Sequence, residues 1–108
     1  MAAQPEPEDE ALDHRRERAR RNEEFFRGAN QAILREAEPV PAAQPIEFLC
    51  ECASLTCVDR LRLAPREWRN AHENDRTFVV LPGHEYLDVE RIVRREERYT
   101  VVEKLPVG

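Results

Sequence analysis

All three cysteines of the chain fall within eight residues, Cys50-Glu51-Cys52-Ala53-Ser54-Leu55-Thr56-Cys57. That crowding dictates local geometry. On an extended strand, Cys50 and Cys52 have Cα atoms about 6.6 Å apart, twice the ~3.3 Å rise, and side chains on one face. Two thiolates bound at about 2.3 Å to one tetrahedral zinc need sulfurs roughly 3.8 Å apart, which this pair reaches by leaning together. The four-residue connection from Ala53 to Thr56 then allows a hairpin that returns Cys57 beside them.

A fourth ligand must come from elsewhere. Of the three histidines, His84 sits in a tight Leu81-Pro82-Gly83-His84 turn after an apolar run, a more rigid perch than His72 on a short helix or His14 in a polar arm. Cys50, Cys52, Cys57 and His84 together make a closed Cys3His set, which suits structural Zn2+ and leaves no open position for water or substrate. The C-x-C-x4-C spacing departs from the C-x2-C of zinc knuckles. Two other readings use the same thiols: small apolar side chains buried in the core, or a redox pair cycling to a disulfide.

A metal has physical work to do in so short a chain. Of 108 residues, roughly 65 have the composition of a compact unit, a size at which burial alone is marginal and metals or partners help. The net charge of −5, with 36% of residues charged, argues against a general polyanion binder. No apolar run approaches the roughly 20 residues of a membrane span, and no secretory signal pattern opens the sequence. The expectation is a cytoplasmic protein. An odd cysteine count there points away from a disulfide framework.

Residues 1 to 8 carry two prolines and no packing side chains and read as a disordered tail. From Asp9 to Ala37 no proline intervenes and helix formers dominate, so a long helix is expected. Its first part, to residue 21, reads as a solvated arm. In its second part Phe25, Ala29, Ala32 and Ile33 share a face, and docking through Phe25, Phe26 and Ile33 is expected. The heptad-spaced Leu12, Ala19, Phe26 and Ile33 lack a second apolar seam, which argues against a coiled coil.

Pro39, Pro41 and Pro45 make residues 38–45 a linker. Beyond it, Ile46, Phe48, Cys50 and Cys52 alternate with Glu47, Leu49 and Glu51, a strand with one buried face. Cys57, Leu61 and Leu63 alternate in the second arm of the hairpin. Pro65 starts a short helix carrying Trp68, Ala71 and His72. Phe78 to Leu81 is a strand, and two more follow around Arg91–Arg94 and Tyr99–Lys104, though 86–96 also has a helical reading. The expected fold is α+β: a long N-terminal helix, a small antiparallel sheet of about four or five strands, and one short helix between strands. Residues 22–105 form its single domain, with the α+β core at 46–105.

The remaining candidates have plainer readings. Five arginines between Arg15 and Arg21 could meet phosphates, but Glu17–Arg21 and Arg20–Glu24 are i,i+4 pairs that compensate them. Glu47, Glu51, Asp59, Glu67, Glu85 and Asp88 show no arrangement beyond a solvated surface. With no general acid/base pair and no oriented nucleophile, an enzyme is not expected. Trp68 and Phe78 read as core.

Several segments together resemble a family of short uncharacterised actinobacterial proteins. They are Asn22-Glu23-Glu24-Phe25-Phe26-Arg27, the Phe48-Leu49-Cys50-Glu51-Cys52 strand with Cys57, Glu67-Trp68, Phe78 to Glu85 and Arg98 to Lys104. The F-x-C-x-C strand and the P-G-H-E turn are the most specific parts. Ala64 stands where similar sequences often carry a helix-capping threonine. The resemblance implies domain limits of about 22 to 104 and a GC-rich bacterial source, and it adds nothing on mechanism. The functional expectation is a non-enzymatic interaction or regulatory module with a structural zinc site and a protein partner. The alternatives are a thiol redox sensor and a nucleic-acid regulator acting through the arginine-rich helix.

Overall fold

The computed structural model describes residues 8–54 and 56–106. The expected tail at residues 1 to 8 therefore lies almost wholly outside the described residues. Helix α1 spans Glu8–Glu36 without interruption. The arginine run is paired as the spacing requires, with Arg20 to Glu24 at 3.0 Å and Arg21 to Glu17 at 3.4 Å. Past the helix, Val40 N–H donates to Ala37 O and Gln44 N–H to Pro41 O, tight turns that carry the proline segment to the first strand.

The five strands form two antiparallel sheets rather than one. Strands β1 (Ile46–Leu49) and β2 (Arg60–Leu63) pair with Phe48 opposite Leu61. Helix α2 (Pro65–Ala71) follows, with Glu67 Oε1 accepting the Ala64 N–H at 2.7 Å; Ala64 itself offers no capping side chain. Strands β3 (Thr77–Val80), β4 (Glu90–Arg95) and β5 (Thr100–Lys104) form the second sheet in the order β3-β5-β4. The 86–96 region is thus strand and turn, with a register irregularity between Ile92 and Arg94.

Residue 51 explains why the sheets stay separate yet packed. β3 pairs only with β5, and at Val79 its other edge is met by Glu51. The Glu51 N–H donates to Val79 O at 2.8 Å, and the Val79 N–H donates to Glu51 Oε1 at 2.9 Å. One residue satisfies two backbone groups that would otherwise invite another strand. The core on either side gathers Phe48, Trp68, Leu61, Leu63, Phe78, Val80, Val101 and Val102 with Cys50 and Cys52. Phe48 stacks on Trp68 with ring centroids 5.8 Å apart.

Helix α1 docks differently from the expectation. Phe25 is 70% exposed, and the buried positions are Ala19, Glu23 and Asn30, with Ile33 and Leu34 packed at the core's margin. Polar side chains make the attachment: Asn22 Nδ2 donates to Cys52 O and Ser54 O, and Asn30 Nδ2 donates to Leu49 O while its Oδ1 accepts the Leu49 N–H at 2.8 Å. Arg27 lies over the Phe78 ring, 4.3 Å from its centroid. The attachment crosses residue 21, because Ala19 is buried and Arg16 reaches Pro106 O. Further along the interface, Glu23 and Glu90 are buried together, and Glu23 Oε2 and Glu90 Oε1 have no hydrogen-bond partner. Burial first, then the neighbouring Glu90 carboxyl, pushes the Glu23 carboxyl up to about 10, against the pull of Lys104.

Candidate metal centre

The donor atoms of Cys50, Cys52, Cys57 and His84 lie within 4.8 Å of one another. Each arrives by a different device. The β1–β2 ladder continues one bond beyond β1, with Cys50 N–H donating to Asp59 O at 2.9 Å, which holds Cys50 extended beside the returning chain. Asn22 grips the carbonyls of Cys52 and Ser54 and so fixes where the connection leaves the strand. His84 stands at the end of a turn in which its N–H donates to Leu81 O at 2.9 Å. Gly83 there has φ of 91°, the left-handed position that a type II turn reserves for glycine after proline.

Two of the distances match a single cation. His84 Nδ1 lies 3.6 Å from Cys50 Sγ and 3.6 Å from Cys57 Sγ. A tetrahedral zinc with Zn–S of about 2.3 Å and Zn–N of about 2.0–2.1 Å separates sulfur from nitrogen by about 3.6 Å. The backbone supports negative charge at the sulfurs, with the Leu81 N–H donating to Cys50 Sγ at 3.3 Å. Among the thiols themselves, the hydrogen bond from Cys50 leads in drawing the Cys52 thiol down to about 5, a thiolate at neutral pH. The same bond, with burial, pushes the Cys50 thiol up. All three cysteines are free of disulfides.

Two residues dismissed as solvated surface belong to the centre's surroundings. Asp59 Oδ2 lies 3.7 Å from His84 Nε2, longer than a hydrogen bond, so the ring presents Nδ1 to the sulfurs and turns its far nitrogen toward a carboxylate. Its signal was readable: Asp59 follows Cys57 by two residues and so shares its face on an extended chain. Glu51 is the larger correction. It is fully buried, and besides the Val79 N–H it accepts from Asn30 Nδ2 at 2.8 Å and Trp68 Nε1 at 3.1 Å. His72 Nε2 lies 2.6 Å from its Oε1, and His72 Nδ1 lies 2.7 Å from Trp68 O. Alternation put Glu51 opposite the cysteines correctly, but that side is covered by α1, α2 and β3 and is not solvent.

His72 is thereby committed to Glu51, and the cluster takes its imidazole from His84, as the turn suggested. Trp68 and Phe78 are core, as expected. No family model, curated protein or solved structure matches this chain. Among the described residues, no helix is long and apolar enough to cross a membrane.

Proposed function

We propose that this chain is a small interaction module whose fold is locked by one structural Zn2+ held by Cys50, Cys52, Cys57 and His84. The observation that carries the reading is the pair of 3.6 Å separations from His84 Nδ1 to two sulfurs, because ligands from three separated segments converge at the spacing one cation requires. With four protein ligands no coordination position is left for substrate, so the metal's contribution is cohesion. It ties the β1–β2 connection to the turn after β3. A cytoplasmic setting, which keeps thiols reduced, suits the ligand set.

The F-x-C-x-C strand and the P-G-H-E turn, the most specific parts of the family resemblance, are the two segments that meet at this centre. Their meeting supports reading them as one motif. Partner binding is assigned to the outer face of α1, where Phe25 is exposed, or to a sheet edge. Arginine-helix binding to nucleic acid is less favoured, since Arg15 pairs with Asp88, Arg20 with Glu17 and Glu24, and Arg21 with Glu17.

The test is thermal unfolding with and without a strong chelator, on the wild-type chain and on Cys52→Ser and His84→Ala. Chelation should lower the wild-type midpoint markedly and each variant's much less. A wild-type midpoint unmoved by chelator at any incubation time, with metal absent from the treated protein, would sink the structural role.

A further inference from the structure

The cluster has a buried half, Cys50 and Cys52, and a half open to solvent, Cys57 and His84. Cys50 and Cys52 are each 1% exposed, whereas Cys57 is half-buried and lines a cleft of about 510 Å³ with Thr56, Asp59, Gly83 and His84. A reagent arriving from solvent therefore meets the Cys57 sulfur first. The other two sulfurs already lie within 4.8 Å of it, so an oxidised Cys57 has a second thiol in reach with little chain movement. Of the two, Cys50 is held at the sulfur itself, which accepts the Leu81 N–H, as well as through its own N–H to Asp59 O, whereas Cys52 is held through its carbonyl by Asn22. Cys52 leads directly into the short connection that carries Cys57.

We propose that Cys57 is an oxidation site for hydroperoxides, that Cys52 resolves the product, and that the resulting disulfide discharges the metal. In the first step the Cys57 sulfur attacks the distal oxygen of the peroxide. The S–O bond forms as the O–O bond breaks, the sulfur loses two electrons, and the leaving oxygen takes a proton and departs as water or an alcohol. Cys57 is then a sulfenic acid. In the second step the Cys52 sulfur attacks that sulfur, the S–S bond forms, the S–O bond breaks, and hydroxide leaves to be protonated to water. For hydrogen peroxide the balance is two thiols and one peroxide to one disulfide and two waters.

Two of four ligands are thereby lost. Cys50 and His84 alone make a two-coordinate remnant, far short of the four-coordinate set that holds structural zinc. The metal-release step rests on the zinc reading above; the order of thiol oxidation does not.

The experiment treats the full chain, as purified, with increments of hydrogen peroxide and follows metal release with a chromogenic chelator. Remaining thiols are then alkylated with a light reagent in denaturant, and those freed by reduction with a heavy one. Fragmentation of the peptide holding residues 50–57 locates each label. The expected result is one metal released per disulfide formed, the light label on Cys50 and the heavy label on Cys52 and Cys57. A light label on Cys57 at one disulfide per chain, or metal retained after that disulfide forms, overturns the proposal. Metal content before oxidation is read separately, so a chain that holds no metal yet shows this label pattern would defeat the zinc reading and leave Cys57 as the oxidation site.

Discussion

Glu51 sits between two thiols in sequence and faces away from both in space. Its Oε1 accepts the Val79 N–H and lies against His72 Nε2, and its Oε2 accepts from Asn30 Nδ2 and Trp68 Nε1, so four groups from different parts of the chain converge on one carboxylate. An amide at this position would set an NH2 against at least one fixed donor whichever way it turned, the Val79 N–H on one side or Asn30 Nδ2 and Trp68 Nε1 on the other. Unmet buried donors cost about 1–3 kcal/mol each, so Glu51→Gln should destabilise the chain by at least about 1–3 kcal/mol in urea unfolding. The fitting control is Glu47→Gln on the same strand, where an exposed ion pair to Arg60 at 3.4 Å is worth at most about 1 kcal/mol. Equal effects from the two substitutions would contradict the role given to Glu51. The residue shows the limit of alternation as a guide. The pattern placed Glu51 on the face opposite Cys50 and Cys52, but whether that face meets water depends on α1 and β3, which are remote in sequence.

At the scale of elements, helix α1 is attached by polar groups where an apolar stripe was expected. The apolar count along the helix favoured Phe25, while the docked face runs through Ala19, Glu23 and Asn30. What decided the face was the need of Leu49, Cys52 and Ser54 for backbone partners, supplied by Asn30 and Asn22, and no hydrophobic pattern encodes that need. The attachment is also pH-dependent. Glu23 is buried beside Glu90, with Lys104 the cation nearest in effect and Glu51 adding to the like charge. On the Glu90 side, burial raises the carboxyl too, while Tyr86 N–H opposes and Cys52 and Glu85 add negative charge. A carboxyl raised from 4.5 to about 10 on folding contributes its full stability below pH 4.5, and that stability is lost as pH rises toward 10. The slope attributable to it is at most about 1.4 kcal/mol per pH unit. Glu23→Gln keeps the side chain's shape beside Glu90 without titrating. Between pH 6 and pH 9 its stability should fall less steeply with pH than that of the wild type. Parallel curves for the two proteins would refute the titration assigned to Glu23.

For the molecule as a whole, the α+β class and the positions of six elements were legible from proline placement, alternation and turn residues, while β4 lay in the 86–96 stretch that also had a helical reading. The division into two sheets was not, because it depends on a side chain, Glu51, occupying the edge of β3 at Val79. The four donor residues were legible for a simpler reason. C-x-C on a strand, a short connection and a Pro-Gly turn each constrain direction locally, and convergence followed once Glu51, just past β1, bonded to β3 at Val79. Asp59 and the exposure of Cys57 emerged only from the assembled cleft. A chain with so modest a core would gain much from one tetrahedral metal cross-link between its two sheets, which is what the proposed site would supply. The most direct measurement is the metal content of protein purified without chelator, determined by elemental analysis alongside protein concentration. One zinc per chain is the expected result, with the ratio falling well below one in Cys52→Ser and in His84→Ala. A folded wild-type chain that carries no zinc when purified in its presence would contradict the account.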